Sequence, residues 1–445
     1  MHSGNQTQRT LAASALEVEF TRRTLLRAGL GTAAMAAMAP LLAACGSSGS
    51  SAGGTNGKTV VRMWSWYTDQ KDEFPKVIKA FEDKNPSIKI DNRIFGTPDQ
   101  YLPALQAAVA GGDIPEIFAP HTRALTYGEQ GVSADLIKEL GSDFLADFFP
   151  PTNQEYTMDG KQYAIGFMAQ TFGLFYNPEL LAAAGVDGEP ETWDDLIEAA
   201  AKINATGKST LSISCNPTVS AGDFFLPLIT QVSDDPTYFL KLDQLQDGFS
   251  WDSDVVVKAL QLNDKIVKAK VFQPGTTGTS GPQSQQLFST GGAAMFFSGS
   301  WTPQGLVQDA PPAFVKKYKV MKTPAIAKGK RHWTADQAGA GWSVAEGSKA
   351  KDAALEFLKF MYLPEQYSPL MNRSNSMPST RSAAAKIESP IIKLMTSWLP
   401  DGCPHIPFGA GSAAALDPLG KIFDQTGSPE EVAKEMQAAV LNARG

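Results

Sequence analysis

Histidine, cysteine and carboxylate spacing is where catalytic or metal chemistry would show, and it shows little. The four histidines, His2, His121, His332 and His405, are scattered. No H-E-x-x-H, C-x-x-C or EF-hand loop occurs, so a metal site built by the protein is not expected. Gly207-Lys208-Ser209 ends like a phosphate loop, but the required first glycine falls on Lys202. No G-x-S-x-G nucleophile elbow is present. The 46 acidic residues leave paired carboxylates open, because distance in space is not written in the chain. No cofactor and no catalytic residue is therefore expected, and binding becomes the default function.

What remains is a set of aromatic rings beside polar side chains. Trp66 and Tyr67 close the first β-rich run, where one of Trp64 and Trp66 is expected to turn inward. His121 and Thr122 follow the third such run. Trp342 follows Gly339-Ala340-Gly341, small residues that let a backbone approach a ligand. Asp99 reads first as a helix N-cap, in a loop that can also face a cleft. Arg373 sits in the polar stretch N-R-S-N-S, suited to a surface ion pair or to reading a hydroxyl pair or phosphate. Each ring has a plain alternative as core packing, and His121 and Thr122 as solvated loop.

The elements that must position these groups follow a βαβ rhythm. Val60 to Trp64 reads as a strand. Phe74, Val77, Ile78 and Phe81 fall on one helical face, stopped at Asn85-Pro86. Ile88 and Ile90 alternate in a second strand. A helix from Asp99 to about Ala110 ends at Gly111-Gly112, and Ile114 to Ala119 is a third strand. Tyr163 to Tyr176 is too irregular for one amphipathic helix. Thr192, Ser253, Ser348 and Ser428 are helix starts, and Leu211 to Ser214 and Ala293 to Phe297 are strands. This rhythm predicts a parallel sheet flanked by helices, an α/β fold.

Residues 58–445 number 388, more than one ordinary core, so two lobes are expected. Composition is ordinary for a globular chain, with 43% hydrophobic and 19% charged residues. The first 44 residues carry +2, so the remainder carries −9 of the formal −7 total. An acidic chain without a basic block argues against nucleic acid. Arg22, Arg23 and Arg27 precede an uncharged run of 17 residues, Ala28 to Ala44, broken by Pro40. That order is an export signal, and the run is shorter than the roughly 20 residues a membrane span needs. Arg22-Arg23 resembles a twin-arginine signal, and Leu42-Ala43-Ala44-Cys45 resembles a lipobox. Cleavage after residue 44 would leave Cys45 lipidated, holding the protein at the outer face of the cell membrane. Residues 46–57, GSSGSSAGGTNG, would be a flexible tether reaching roughly 20 Å. Cys215 and Cys403 remain, free to pair or to stay as thiols.

Several segments resemble the family 1 extracellular solute-binding proteins, the maltose-binding-protein-like group. They are YLPALQAAVAGGDIPEIF from Tyr101, DGKQYAIGFMAQTFGLFYNPELLAAAGVDGEPETWDD from Asp159, FSTGGAAMFFSGSW from Phe288, and WSVAEGSKAKDAALEFLKFMYLP from Trp342. One departure is Gly166, where the family often has proline. The resemblance implies a two-lobed periplasmic-binding-protein type II fold with a ligand cleft between the lobes. It places crossovers near Ile165, Val320 to Pro324 and Asn372 to Pro378. The N-lobe would take 58–165 and 322–372, and the C-lobe 166–321 and 373–445. It implies a lipid-anchored monomer that captures a sugar or oligosaccharide for the permease of an ABC importer. Glycerophosphodiesters, a secreted glycoside-acting enzyme and a surface adhesin stay as alternatives.

Sugars present apolar C–H faces and hydroxyl rims, which stacked rings and planar polar groups hold. Trp64 resembles the family's core tryptophan, which leaves Trp66 and Tyr67 for the cleft. Trp301 falls on the family's stacking G-x-W tryptophan. Gln170 falls where the maltose-binding relative has a ligand-side acid. Asp223 and Phe224 align near another stacking aromatic, and Phe408, after His405-Ile406-Pro407, is a further candidate.

Overall fold

Burial alternates along the first strand, β1 (Thr59–Ser65), with Val61, Met63 and Ser65 inward and Trp64 half-buried. The same phase carries past the strand to bury Tyr67 and leave Trp66 half-buried. The inward residues of the W-S-W-Y stretch are thus Ser65 and Tyr67; Trp64 and Trp66, two apart, share the other face, so alternation turns neither into the core. These features come from a computed structural model that describes residues 57–216, 221–406 and 411–444. Arg22, Arg23, Cys45 and Phe408 lie outside the described residues. Among the described residues, no helix is long and apolar enough to cross a membrane.

The further strands are β2 (Ile88–Ile94), β3 (Ile117–Phe118), β4 (Thr157–Met158), β5 (Lys161–Gln162) and β6 (Ile165–Tyr176). Then come β7 (Ser209–Ser212), β8 (Ala293–Gly299), β9 (Lys319–Met321), β10 (Thr334–Val344), β11 (Met377–Pro378) and β12 (Gly402–Cys403). One sheet runs β2-β1-β3-β10-β6-β8-β7, with β11 and β9 on β6 and β12 on β10. The strand expected over Ile114 to Ala119 shrinks to two residues. Arg62 donates to the Ile114 carbonyl at 2.6 Å and pairs with Asp113 and Glu116, which takes the preceding backbone out of the ladder.

The irregular apolar run before Tyr176 is a 12-residue strand buried on both faces for most of its length. Near-continuous apolar sequence marks a strand covered on both sides. β6 and its antiparallel neighbour β10 are long enough to serve two hydrophobic cores. One core holds Val61, Phe81, Phe118, Phe167, Trp342 and Phe357. The other holds Leu174, Trp193, Phe225, Leu260, Met295 and Met436. The return crossover is displaced from the expected Val320 to Pro324. β9 still pairs with Leu174 to Tyr176, Pro324 accepts from Gln231, and the return runs along β10. The segment after Asn372 also differs, because Met377, Ile392 and Leu399 join the first core.

Local capping follows the sequence. Thr192 and Asp195 form a reciprocal box at helix Trp193–Ala205. Ser428 and Glu431 do the same before helix Pro429–Arg444. At helix Pro98–Gly111 the cap is Thr97, whose hydroxyl accepts from Gln100, and Asp99 sits exposed in the first turn. Pro98 takes the first helical position, which moves the cap one residue upstream of it. Gly166, in place of the family's proline, donates its N–H to Asn153 Oδ1 at 2.8 Å, a bond proline cannot make. Cys215 and Cys403 are buried free thiols. Burial pushes the Cys215 thiol up to about 12.

Candidate functional site

Strand register locates the cleft. β3 pairs antiparallel to β10 at Ser343 and Val344, so its carboxyl end, with that of parallel β1, runs toward the middle of β10. β8 pairs antiparallel to β6 and ends at Gly299 opposite Phe172, running toward the middle of β6 from the other side. Both sets of carboxyl ends therefore converge on 166–171 of β6 and 336–341 of β10. Open α/β sheets bind ligands outside the carboxyl ends of their strands. On this floor, Met168, Gln170 and Gln337 are half-buried and Gly339 is exposed, while the residues between them are buried. Gln337 is paired with Gln170 in register and donates to its Oε1. A bulge around Ala340 follows, and Gly339 has φ +56 with the Gln170 side chain where a Cβ would stand. No other residue fits there without moving Gln170.

At the end of β8 a cavity of about 390 Å³ is lined by Phe172, Ser214, Asp223, Gln285, Trp301 and Asp309, among others. Trp301 is 44% exposed, an unusual state for an indole. Its ring stands edge-on to Phe172, with centroids 5.1 Å apart at 87°. Phe172 is held by stacking on Phe297 at 5.5 Å. A Cβ on Gly299 would lie 2.1 Å from the Trp301 ring, so glycine there is what lets the ring lie down on the strand end. Gly299→Ala is expected to displace Trp301 at a cost of about 1–3 kcal/mol, seen as a lowered Tm and a shifted tryptophan emission.

The polar lining is carboxylate and amide. Gln285 donates to Asp309 at 3.2 Å. Asp223 lies 3.4 Å from Nε2 of the buried His405. No lysine or arginine lines this cavity among the described residues. On the opposite side of the floor, the half-buried Trp66 packs on Tyr67, Tyr101 and His121, with centroids 5.0, 5.0 and 5.3 Å away. His121 sits at φ 54, and desolvation, then the Arg123 charge, hold its imidazole below the ordinary value. Such a ring stays a neutral partner for Trp66 near neutral pH.

The bacterial extracellular solute-binding protein family matches residues 65–368. The chain belongs to this family. Solute capture outside the cytoplasm is accordingly its role. A putative binding protein of Brucella abortus is 24% identical over 82% of this chain and 88% of its own length. The arabinooligosaccharide-binding protein of Bacillus subtilis is 25% identical over 72% of each chain. The crystal structure of the cyclic α-maltosyl-1,6-maltose binding protein of Arthrobacter globiformis shares the fold. It has a TM-score of 0.75 and 21% identity, covering 87% of this chain and 99% of that one.

Within this solute-binding fold the expected site residues divide. Trp301 and Asp223 line the cavity, Gln170 lies on the floor, and Trp66, His121 and Thr122 stand at strand ends. Three expected ligand contacts are core instead. Trp342 is fully buried against Tyr67, Phe74 and Phe167. Tyr67 is 3% exposed, and its hydroxyl donates to the Gly341 carbonyl while accepting from the Gly341 N–H, each at 2.9 Å. Phe224 is 2% exposed among Trp193, Phe272 and Phe297. A ring enclosed on both faces has none to offer a sugar. Arg373 is exposed in the last turn of helix Pro364–Ser374, not in a loop. Phe172, Ser214, Gln285, Asp309 and His405 were missed. Ser214 follows β7, so the strand-end rule that found Trp66 would have found it. The others carry no local signal.

Proposed function

We propose that this protein captures a neutral sugar or oligosaccharide and hands it to the permease of an ABC importer. The half-exposed Trp301 over a cavity lined by carboxylates and an amide carries this reading. A ring face takes the apolar side of a sugar, and Asp223, Asp309 and Gln285 take its hydroxyls. Two of the three relatives named above are an arabinooligosaccharide-binding protein and a cyclic α-maltosyl-1,6-maltose binding protein, which supports the same ligand class here. The ligand would bind one lobe, then bridge to Trp66 and the floor, and so favour the closed arrangement. The carboxylates of Asp223 and Asp309 in the lining would repel the phosphate of a glycerophosphodiester. Export by the twin-arginine signal, a diacylglyceryl anchor at Cys45 and a monomeric state complete the proposal, on the motifs read above. Release of the Cys45→Ser variant from membranes would support the anchor, and retention would remove it.

Thermal-shift screening against sugars, oligosaccharides, polyols and glycerophosphodiesters tests the main reading. A saturable rise in Tm with a neutral sugar, recovered intact, is expected, because a ligand that binds only the folded state stabilises it. A consumed ligand would point to an enzyme, and a response confined to glycerophosphodiesters would overturn the sugar assignment. Trp301→Ala should then weaken binding by about 2 kcal/mol, roughly 30-fold by calorimetry, as for a buried aromatic anchor. The Tm of the unliganded protein should fall only slightly, since that ring is 44% exposed and packs mainly edge-on to Phe172.

A further inference from the structure

A glutamine on the floor of the cleft, Gln337, has no part in solute capture as described above. Along β6 only Met168 and Gln170 are half-buried, and along β10 only Gln337 is half-buried and only Gly339 exposed. The two-residue period of a strand puts these positions on the open face of the floor. Gln337 stands opposite Gln170 in register and gives one amide hydrogen to Gln170 Oε1. A carboxamide has an oxygen that accepts and a nitrogen with two hydrogens to donate. After this bond Gln170 Nε2 keeps both hydrogens, and Gln337 Oε1 keeps both lone pairs. Neither atom enters another hydrogen bond among the described residues, and neither is sealed from solvent. The pair therefore presents a free donor and a free acceptor to the cleft.

The backbone beneath this pair is held from behind by one short stretch of chain. Asn153 Oδ1 accepts the Gly166 N–H of β6 at 2.8 Å, and the Glu155 carboxyl accepts the Ala338 N–H of β10, next to Gln337. The bulge around Ala340 then leaves Gly339 at φ +56, with Cγ and Cδ of Gln170 where a Cβ would stand. The glycine is what lets the Gln170 side chain lie over β10 and meet Gln337.

Sugar hydroxyls both donate and accept, whereas the ionised carboxylates of Asp223 and Asp309 at the cavity wall only accept. The floor pair supplies the missing half without adding charge. We propose that Gln337, paired with Gln170, is a specificity-determining residue that reads two neighbouring hydroxyls of the bound sugar. One hydroxyl donates to Gln337 Oε1, and the other accepts from Gln170 Nε2. Amides that already orient each other lose little freedom on binding. A site whose buried polar groups await hydroxyls also rejects ligands that lack them. This inference rests on the reading of the protein as one that captures sugars.

The test is calorimetry on the full chain in detergent micelles with maltotriose and with arabinotriose. Gln337→Met keeps the length of the side chain and removes its amide, and it should raise Kd about tenfold while hardly moving the Tm of the free protein. Gly339→Ala keeps both amides but displaces Gln170, and it too should raise Kd about tenfold. In a Gln170→Ala background the added methyl has no side chain to displace, so there Gly339→Ala should change Kd by less than about twofold. A Kd unchanged in Gln337→Met overturns the proposal. So does a Gly339→Ala loss of equal size with and without the Gln170 side chain, which would mark an effect of the backbone alone. If neither sugar binds the unmodified chain, the oligosaccharide reading fails and takes this inference with it. If one binds, and binds Gln337→Met equally well, capture stands and only the role of Gln337 falls.

Discussion

Trp342→Ala is expected to cost about 3–5 kcal/mol of folding stability, measured by urea unfolding. The indole is fully buried and lies within 5.0–6.0 Å, centroid to centroid, of Tyr67, Phe74 and Phe167. Removing it leaves a void that a strand held in register to Ile165 cannot close. Trp342→Phe should cost much less. It keeps most of the ring volume and removes an indole N–H that has no hydrogen-bond partner. Neither change should alter sugar affinity per folded molecule beyond about twofold, because the ring has no solvent-facing surface. A Trp342→Phe protein with normal unfolding but a tenfold weaker ligand would return Trp342 to the binding site and refute its placement in the core.

Glu155→Gln is expected to stabilise the protein at alkaline pH by on the order of 3 kcal/mol while changing little at pH 5. The Glu155 carboxyl is buried, and desolvation pushes it up to about 8 despite the Ala338 N–H it accepts from. In the unfolded chain the same group titrates near its ordinary 4.5. Between those two values the folded state keeps a proton that the unfolded state has released. Stability is therefore complete below about pH 4.5 and falls as pH rises toward 8. Glutamine keeps the acceptor for Ala338 and cannot ionise, so the difference between the two proteins should open across that window. Asp336, also raised by burial, contributes in the same sense and leaves part of the slope in the variant. Identical pH profiles for Glu155→Gln and the unmodified protein would show that this carboxyl does not titrate within the fold. Because Ala338 adjoins the β10 bulge, ligand closure should show the same window if that bulge moves.

Much of this was legible in the residues. Helix starts at Thr192 and Ser428 were legible because their cap bonds act within three residues, and Ser253 is an N-cap by position without such a bond. The α/β class followed from the period of the apolar residues, and the family from motifs spread over most of the chain. Trp301, singled out through its motif, lines the cavity, as does Ser214, which its strand end could have singled out. Three rings, Tyr67, Phe224 and Trp342, were taken for ligand contacts and are core. An aromatic residue at a strand end looks the same in sequence whether the far side of the strand is covered or open.

The chain by itself determined the secondary elements, the charge balance and the family, since these rest on near neighbours and on composition. Tertiary structure alone decided which rings see solvent, because that depends on which sequence-distant side chains pack against them. It likewise decided the crossover through β10 and the meeting of Asp223, Asp336 and His405. Those three residues lie 69 to 182 positions apart; the parallel pairing of β12 with β10 and the packing of helix Gly222–Ser233 against β10 close such distances.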